Sequence, residues 1–231
     1  KPYGPTFPDL TVSDIIGLQR LLLEKLGVRH LVAVAGGSYG GFQAFQWAVD
    51  HPDFMDAIVP AVTAPASPRQ GYAELLARIS ADANWNGGWY YDNGGVGATM
   101  RAIRYETLKR YGADAVLADE GLDPAAREAR MRAQADAWAA KFDAHSMLIL
   151  RKAADRFDTV GDFAKIRAKV LYVISRTDVL FPPERAPAVM DQLKAAGIDA
   201  RYFEIDTEYG HTAAGTAWAK WEEPLRQFLA P

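Results

Sequence analysis

Leu31-Val-Ala-Val-Ala35, Gly36-Gly37-Ser38-Tyr39-Gly40-Gly41 and Phe42-Gln-Ala-Phe-Gln-Trp-Ala-Val-Asp-His51 follow one another without a break. The first is a short, wholly apolar run, the pattern of a strand buried on both faces of a parallel sheet. The last is made of good helix formers. G-x-S-x-G between them demands a tight strand-to-helix turn, which lifts a serine hydroxyl above the sheet edge at the positive end of a helix. Ser38 is therefore the candidate nucleophile, and the backbone N–H of Tyr39 a candidate oxyanion donor. Side chains flanking so tight a turn would clash, hence the glycines.

Working outward, Thr11-Val-Ser-Asp14 has the form of a capping box. Ile15, Leu18, Leu22 and Leu26 then recur at helical spacing, and Gly27 stands where a left-handed cap is wanted, so an amphipathic helix of about four turns precedes the strand. Downstream, strands are expected at 57–62 (with Pro60 near its end), 169–175 and 201–205. Helices are expected over 186–196, ended by Gly197, and over 216–229, with Trp218, Trp221, Leu225 and Phe228 on one face. Alternating helices and apolar strands signal an α/β fold with a parallel sheet. Residues 65–165 break the alternation: they carry no strand pattern, a Gly-rich loop at 84–93, a helical stretch at about 124–141, and interleaved charges at 119–136 that read as a solvated helix face. The expected organisation is an α/β core over 1–64 and 166–231, with a helical insertion over 65–165. Met, Trp and Tyr in the insertion either line a substrate pocket or pack it down.

A nucleophilic serine needs a base and an acid, and the elbow turn takes them in the order Ser, acid, His. Of four histidines, His30 precedes the nucleophile strand and reads as structural. His51 ends the following helix, where a cation suits the dipole. His145 lies in the insertion. His211, in Tyr209-Gly-His-Thr212, follows the last strand and is the candidate base. Asp178, in Ser175-Arg-Thr-Asp178, follows the strand before it and is the candidate acid, with Asp206 and Glu208 as rivals on the same strand exit as His211. The acid's role is to hold the imidazole tautomer and stabilise the imidazolium.

Composition narrows the class further. The chain of 231 residues has 49% hydrophobic and 24% charged residues, ordinary globular values. Its net charge of −3 arises from 26 basic and 29 acidic residues without segregation, which argues against nucleic acid as a partner. No apolar run is long enough to span a bilayer. With no cysteine, disulfides, thiolate metal sites and a cysteine nucleophile are excluded, and the compartment stays open. The chemistry requires no metal and no organic cofactor.

These residues together resemble the homoserine O-acetyltransferase family of the α/β-hydrolase superfamily. Gly36-Gly-Ser-Tyr-Gly-Gly-Phe-Gln-Ala-Phe-Gln-Trp-Ala48 is similar to that family's elbow, Phe7-Pro-Asp-Leu-Thr-Val-Ser-Asp14 and Leu26-Gly-Val28 to its lead-in, and Trp85-Asn-Gly-Gly-Trp-Tyr-Tyr-Asp92 to a lid loop. Phe142-Asp-Ala-His-Ser146 resembles a lid motif with His145 where Asn is usual. Ser175-Arg-Thr-Asp-Val-Leu-Phe-Pro-Pro183 and Tyr209-Gly-His211 resemble the acid and base loops. The resemblance implies an α/β-hydrolase fold with helices on both faces of the sheet and an inserted helical lid. It also implies acyl transfer through an acyl-serine, and a lid-mediated homodimer. Two departures shape the expectation. His211 is followed by Thr212-Ala213-Ala214-Gly215, where the family usually has Asp and a bulky apolar pair; this favours water over homoserine as acceptor. The nucleophile also comes after a single helix and strand, so an N-terminal half-sheet with the second oxyanion donor is expected outside residues 1–231, either as a companion chain left by cleavage or as a preceding segment. The expected function is hydrolysis of a small acyl ester or amide by Ser38, His211 and Asp178. Acetyl transfer from acetyl-CoA to homoserine is the alternative, and a non-catalytic interaction module on the same fold the outlying one.

Overall fold

The computed structural model describes residues 2–67 and 71–230. In chain order its main elements are α1 (Val12–Lys25), β1 (Leu31–Gly37), α2 (Tyr39–Asp50), β2 (Met55–Ala61), α3 (Gly71–Ser80), α4 (Gly97–Arg110), α5 (Ala113–Asp119), α6 (Pro124–Ala139), α7 (Ala144–Asp155), β3 (Lys169–Ser175), α8 (Ala186–Ala195), β4 (Ala200–Ile205), α9 (Ala213–Thr216) and α10 (Glu222–Leu229). They form two compact units. One comprises Thr11–Ser67 with Phe157–Pro231; the other comprises Lys1–Leu10 with Pro68–Arg156.

The first unit holds the sheet, β1-β2-β3-β4, parallel throughout. Alternation along the strands builds one core from Ala57, Val59, Leu171, Val173 and Ile205 against Ala213, Ala217 and Phe228. Alternate residues such as Tyr172 turn to the other face, where Phe45 of α2 meets the Tyr172 ring with centroids 6.4 Å apart. Pro60 is accommodated inside β2, opposite Gly36.

α1 begins in a capping box. Thr11 Oγ1 accepts from the Asp14 amide at 3.1 Å, and the Asp14 carboxylate accepts from the Thr11 amide at 2.8 Å. The Thr11 hydroxyl also donates to that carboxylate at 2.7 Å, and this bond first, then the one from the Thr11 amide, holds the Asp14 carboxyl below its ordinary range. The helix ends in a Schellman turn: Val28 N donates to Leu23 O and Gly27 N to Glu24 O, with Gly27 at φ +79°. Its packed face differs from the expected one. Val12 and Ile16 are buried, and Gln19 bonds Gln43 and the Trp47 indole N–H. Leu18, Leu21, Leu22 and Leu26 are each more than half exposed. β1 differs in the same direction. Expected to be buried on both faces, it lies at the end of the strand order with Val32 65% exposed, because no described strand pairs with its outer side.

The expected closing helix over 216–229 is instead α9, a short 3-10 turn at Trp218–Lys220, and α10. Pro224 explains the break. It lacks an N–H and is accommodated only within the first turn of a helix, so a helix must start anew at Glu222. Trp221, Leu225 and Phe228 still pack on the sheet, while Trp218 faces solvent.

In the helical unit, Asp123 and Asp143 cap α6 and α7 through the Ala126 and Ser146 amides. One core gathers Ile79, Tyr90, Met100, Ile103, Ala144 and Leu148; a second gathers Leu108, Leu117, Met131 and Ala135. The Met, Trp and Tyr side chains Met100, Met131, Trp85, Tyr90 and Trp138 are thus packing residues of this unit. Asp9 bonds Lys152 and Arg156, tying Pro2–Leu10 to α7. The sheet unit closes the gap left by this excursion with a small clasp. Ser67 N donates to Phe157 O at 3.0 Å, and Thr159 donates to Pro65 O through both its amide and its hydroxyl. Ala66 and Asp158 form an antiparallel bridge.

Candidate active site

β1 ends at Gly37 and α2 starts at Tyr39, leaving Ser38 alone to turn the chain. It does so at φ +55°, ψ −117°, a conformation that costs a non-glycine residue about 1–3 kcal/mol and persists only when its surroundings enforce it. The enforcement is visible. Ser38 N donates to Ala61 O at 2.9 Å, and Ser38 O accepts from Gly41 N and from the Thr63 hydroxyl, both at 2.9 Å. The expectation that the flanking glycines avoid clashes holds at Gly36, where a Cβ would run into the main chain of Gly40. It fails at Gly40 itself, where a Cβ would meet nothing within 4 Å. The second closed position is Gly41, whose Cβ would lie 2.8 Å from Thr63 Oγ1 and nearer to the Thr63 carbons. Thr63 is fully buried, and its carbonyl accepts from the Tyr172 hydroxyl at 2.7 Å. Sequence reasoning missed Thr63; the available signal was a hydroxyl residue directly after the apolar run 57–62.

Tyr39 occupies the first position of α2, where backbone N–H groups have no acceptor within the helix. Its phenol oxygen is buried without a partner, and burial pushes the group up to about 12.

The loop after β3 delivers Asp178, 1% exposed. Its Oδ1 accepts from the Leu180 and Phe181 amides at 2.8 and 3.2 Å. Oδ2 lies 2.8 Å from Nδ1 of His211, which is 5% exposed in the 3-10 turn Gly210–Thr212 after β4. A carboxylate there accepts, so Nδ1 carries the proton and the basic lone pair resides on Nε2, an assignment made from the hydrogen-bond pattern. The charge on Asp178 reaches further: after burial, it is the next cause that pushes the Tyr172 phenol up.

The nucleophile turn and the acid–base pair meet through apolar contacts. Phe181 stacks on the His211 ring at 5.7 Å and meets Phe42 of α2 edge-on at 6.0 Å. A Cβ on Gly37 would stand 4.0 Å from the Ala214 methyl. Ser38, Asp178 and His211 therefore lie in one unit, on the loops at the C-terminal ends of β1, β3 and β4.

The rival residues are placed elsewhere. Arg176 engages both Asp206, at 2.7 Å, and Glu208. His30 bonds Asp56 on the surface. His51 meets the Trp47 ring edge-on, and burial, with Arg20 next, lowers its affinity for a proton, so the expected dipole-stabilised cation is disfavoured there. His145 is buried in the helical unit with Nε2 against Gly88 O at 2.8 Å, among Trp85, Tyr90 and Tyr91. Among the described residues no three His, Asp or Glu side chains are grouped to hold a metal ion, and no helix is long and apolar enough to cross a membrane.

Comparison with known proteins identifies the family. A family model described as "alpha/beta hydrolase fold" matches residues 1–216. The homoserine O-acetyltransferase of Haemophilus influenzae (strain 86-028NP) is 33% identical over 251 residues, an alignment that takes in 100% of this chain and 70% of that protein. Esterase E22 superposes with a TM-score of 0.87 at 25% identity, covering 100% of this chain and 69% of the esterase. A homoserine O-acetyltransferase from Bacillus anthracis superposes with a TM-score of 0.86 at 22% identity, covering 100% and 68%. The chain belongs to the α/β-hydrolase fold family, in its homoserine O-acetyltransferase-like branch.

Proposed function

We propose that this protein is a serine-dependent acyl hydrolase acting on small esters or amides. The observation that carries the reading is the buried Asp178–His211 hydrogen bond beside a serine held in a strained strand-to-helix turn. Ser38 Oγ attacks the acyl carbonyl while His211 Nε2 takes its proton, and Asp178 keeps the imidazole in the required tautomer and stabilises the imidazolium. The Tyr39 N–H donates to the oxyanion. His211 returns the proton to the leaving group. Water, deprotonated by the same nitrogen, then releases the acyl group from Ser38.

Water is favoured as acceptor because the run after His211, Thr212-Ala213-Ala214-Gly215, holds no acidic side chain to receive an ammonium. The nearby carboxylates Asp206 and Glu208 are engaged by Arg176. Acetyl transfer from acetyl-CoA to homoserine is the second reading, favoured by the 33% identity to the Haemophilus enzyme of that name. A paired assay separates the two: release of p-nitrophenol from p-nitrophenyl acetate in water supports hydrolysis. CoA release that depends on homoserine, without ester cleavage, refutes it.

We propose further that a polypeptide segment outside residues 1–231 adds strands along β1, covers the outward leucines of α1 and supplies a second oxyanion donor. The support is the free edge of β1, exposed Val32 and the apolar stripe Leu18, Leu21, Leu22 and Leu26, together with the 30% of the Haemophilus relative's length that has no counterpart here. Hydrogen exchange at the β1 amides turned away from β2 decides it: protection in the natural protein and fast exchange in residues 1–231 alone are expected, and equal protection refutes the proposal.

A further inference from the structure

We infer that Thr177 is a positioning residue that sets the distance between the acid and the base; this rests on the catalytic reading of Asp178 and His211 given above. Thr177 is half-buried on the loop that carries Asp178. Its hydroxyl donates to Thr207 O at 2.8 Å and accepts from Gly210 N at 3.1 Å. One oxygen thus fastens both ends of the four-residue bend 207–210. That bend ends next to His211, and Thr177 stands next to Asp178. The hydroxyl gives its one proton and fills one of its two lone pairs. Gly210 takes φ +54°, a conformation that leaves its N–H turned to Thr177 and that a side chain would resist.

The Asp178–His211 bond itself and the Phe181 ring on His211 also join the two loops, and further ties lie nearer the surface or the sheet. Arg176 holds Asp206 and Glu208, but all three are solvent-exposed, and exposed ion pairs hold geometry poorly. Arg176 N donates to Ile205 O at 3.1 Å at the end of the β3–β4 ladder, before the bend begins. On the acid side, Asp178 is fixed by the Leu180 and Phe181 amides. His211 follows directly on Gly210, so the position of Nδ1 moves with the 207–210 bend that the Thr177 hydroxyl fastens at both ends.

The test uses Thr177→Ala and Thr177→Ser, which differ by one oxygen, with Thr177→Val as the isostere, all in the natural protein with any companion segment attached. Two quantities are read. The first is kcat and KM for p-nitrophenyl acetate. The second is the proton resonance of His211 Nδ1–H, shifted downfield of the amide envelope by its bond to Asp178 and identified by its loss in His211→Ala. Thr177→Ser should retain kcat within about threefold and keep the resonance. Thr177→Ala and Thr177→Val should lose about 10–10²-fold in kcat with KM little changed, the penalty of a sub-ångström to 1 Å displacement, and should broaden the resonance or move it upfield. If Thr177→Val fails to fold, the Ala/Ser pair decides. An Ala variant that keeps kcat, or that loses kcat with the resonance unmoved, overturns the inference. Failure of the catalytic reading is seen separately, as activity that survives Ser38→Ala, and leaves the resonance result standing.

Discussion

Replacing Gly36 by alanine adds one methyl group where the elbow closes on itself. The new carbon would stand 2.9 Å from Gly40 Cα and closer still to the Gly40 carbonyl, whereas ordinary van der Waals contact begins at 3.4 Å. The end of β1 and the start of α2 must therefore part by about 1 Å to bring the Gly40 carbonyl oxygen from 2.3 Å to 3.4 Å, and Ser38 lies between them. Backbone opposes the new methyl, so no side-chain rotation relieves it. Overpacking of this kind costs about 1–3 kcal/mol, which for a protein of this size lowers Tm by about 2–4 °C per kcal/mol. A displacement approaching 1 Å at a nucleophile costs up to about 10² in rate. Gly36→Ala should thus lose about 10–10²-fold in kcat/KM for p-nitrophenyl acetate and several degrees in a calorimetric melt. Gly40→Ala, with nothing within 4 Å of its Cβ, should stay within about twofold of wild type, the range expected of an unstrained surface-like substitution. Equal damage from both substitutions, or a harmless Gly36→Ala, would refute the steric account of the motif.

Ser38→Ala should reduce kcat by about 10⁶ and Asp178→Asn by about 10⁴, both with the fold retained by circular dichroism; turnover within tenfold of wild type in either would sink the catalytic assignment. Ser175 is fully buried at the end of β3 with a hydroxyl that has no partner among the described residues, so Ser175→Ala should raise the unfolding free energy by up to about 1–3 kcal/mol in urea titration, and a loss of stability would show that the oxygen is in use. The Asp14 carboxyl is depressed in the folded chain from an ordinary value of 3.8, so its contribution is complete above pH 3.8 and is lost as pH falls through the lower folded value. Asp14→Asn should flatten that acid limb of a Tm–pH curve, and superimposable limbs would contradict the assignment.

Some of this was legible before any coordinates because the information is local. A strand, a glycine-bound serine and a helix are contiguous in 31–51, and a tight turn admits few alternatives. The placement of Asp178 beside His211 follows from strand order, since both residues sit just past the C-terminal ends of adjacent parallel strands. What escaped the sequence is long-range. Thr63 and Thr177 act through bonds to residues 25 and 30 or more positions away, and no spacing rule marks them. The α1 stripe misled because periodicity reveals that a face is apolar without revealing what meets it. The association of Pro2–Leu10 with the helical unit rests on Asp9 meeting Lys152 and Arg156, charges that look like ordinary solvated ones in the primary structure. Pro224, a residue that the apolar spacing of 216–229 does not register, decides where the last helix starts.

The clasp made by Pro65, Ala66 and Ser67 with Phe157, Asp158 and Thr159 has a consequence for how this fold can change. The chain leaves the sheet unit and re-enters it through one doorway whose jambs are already hydrogen-bonded to each other. From the sheet's side, the intervening residues 68–156 are simply a loop with its ends held together. The entropy of closing such a loop rises only about 0.6 kcal/mol for each doubling of its length. Selection can therefore lengthen, shorten or exchange the excursion with little penalty to the β2–β3 ladder beneath.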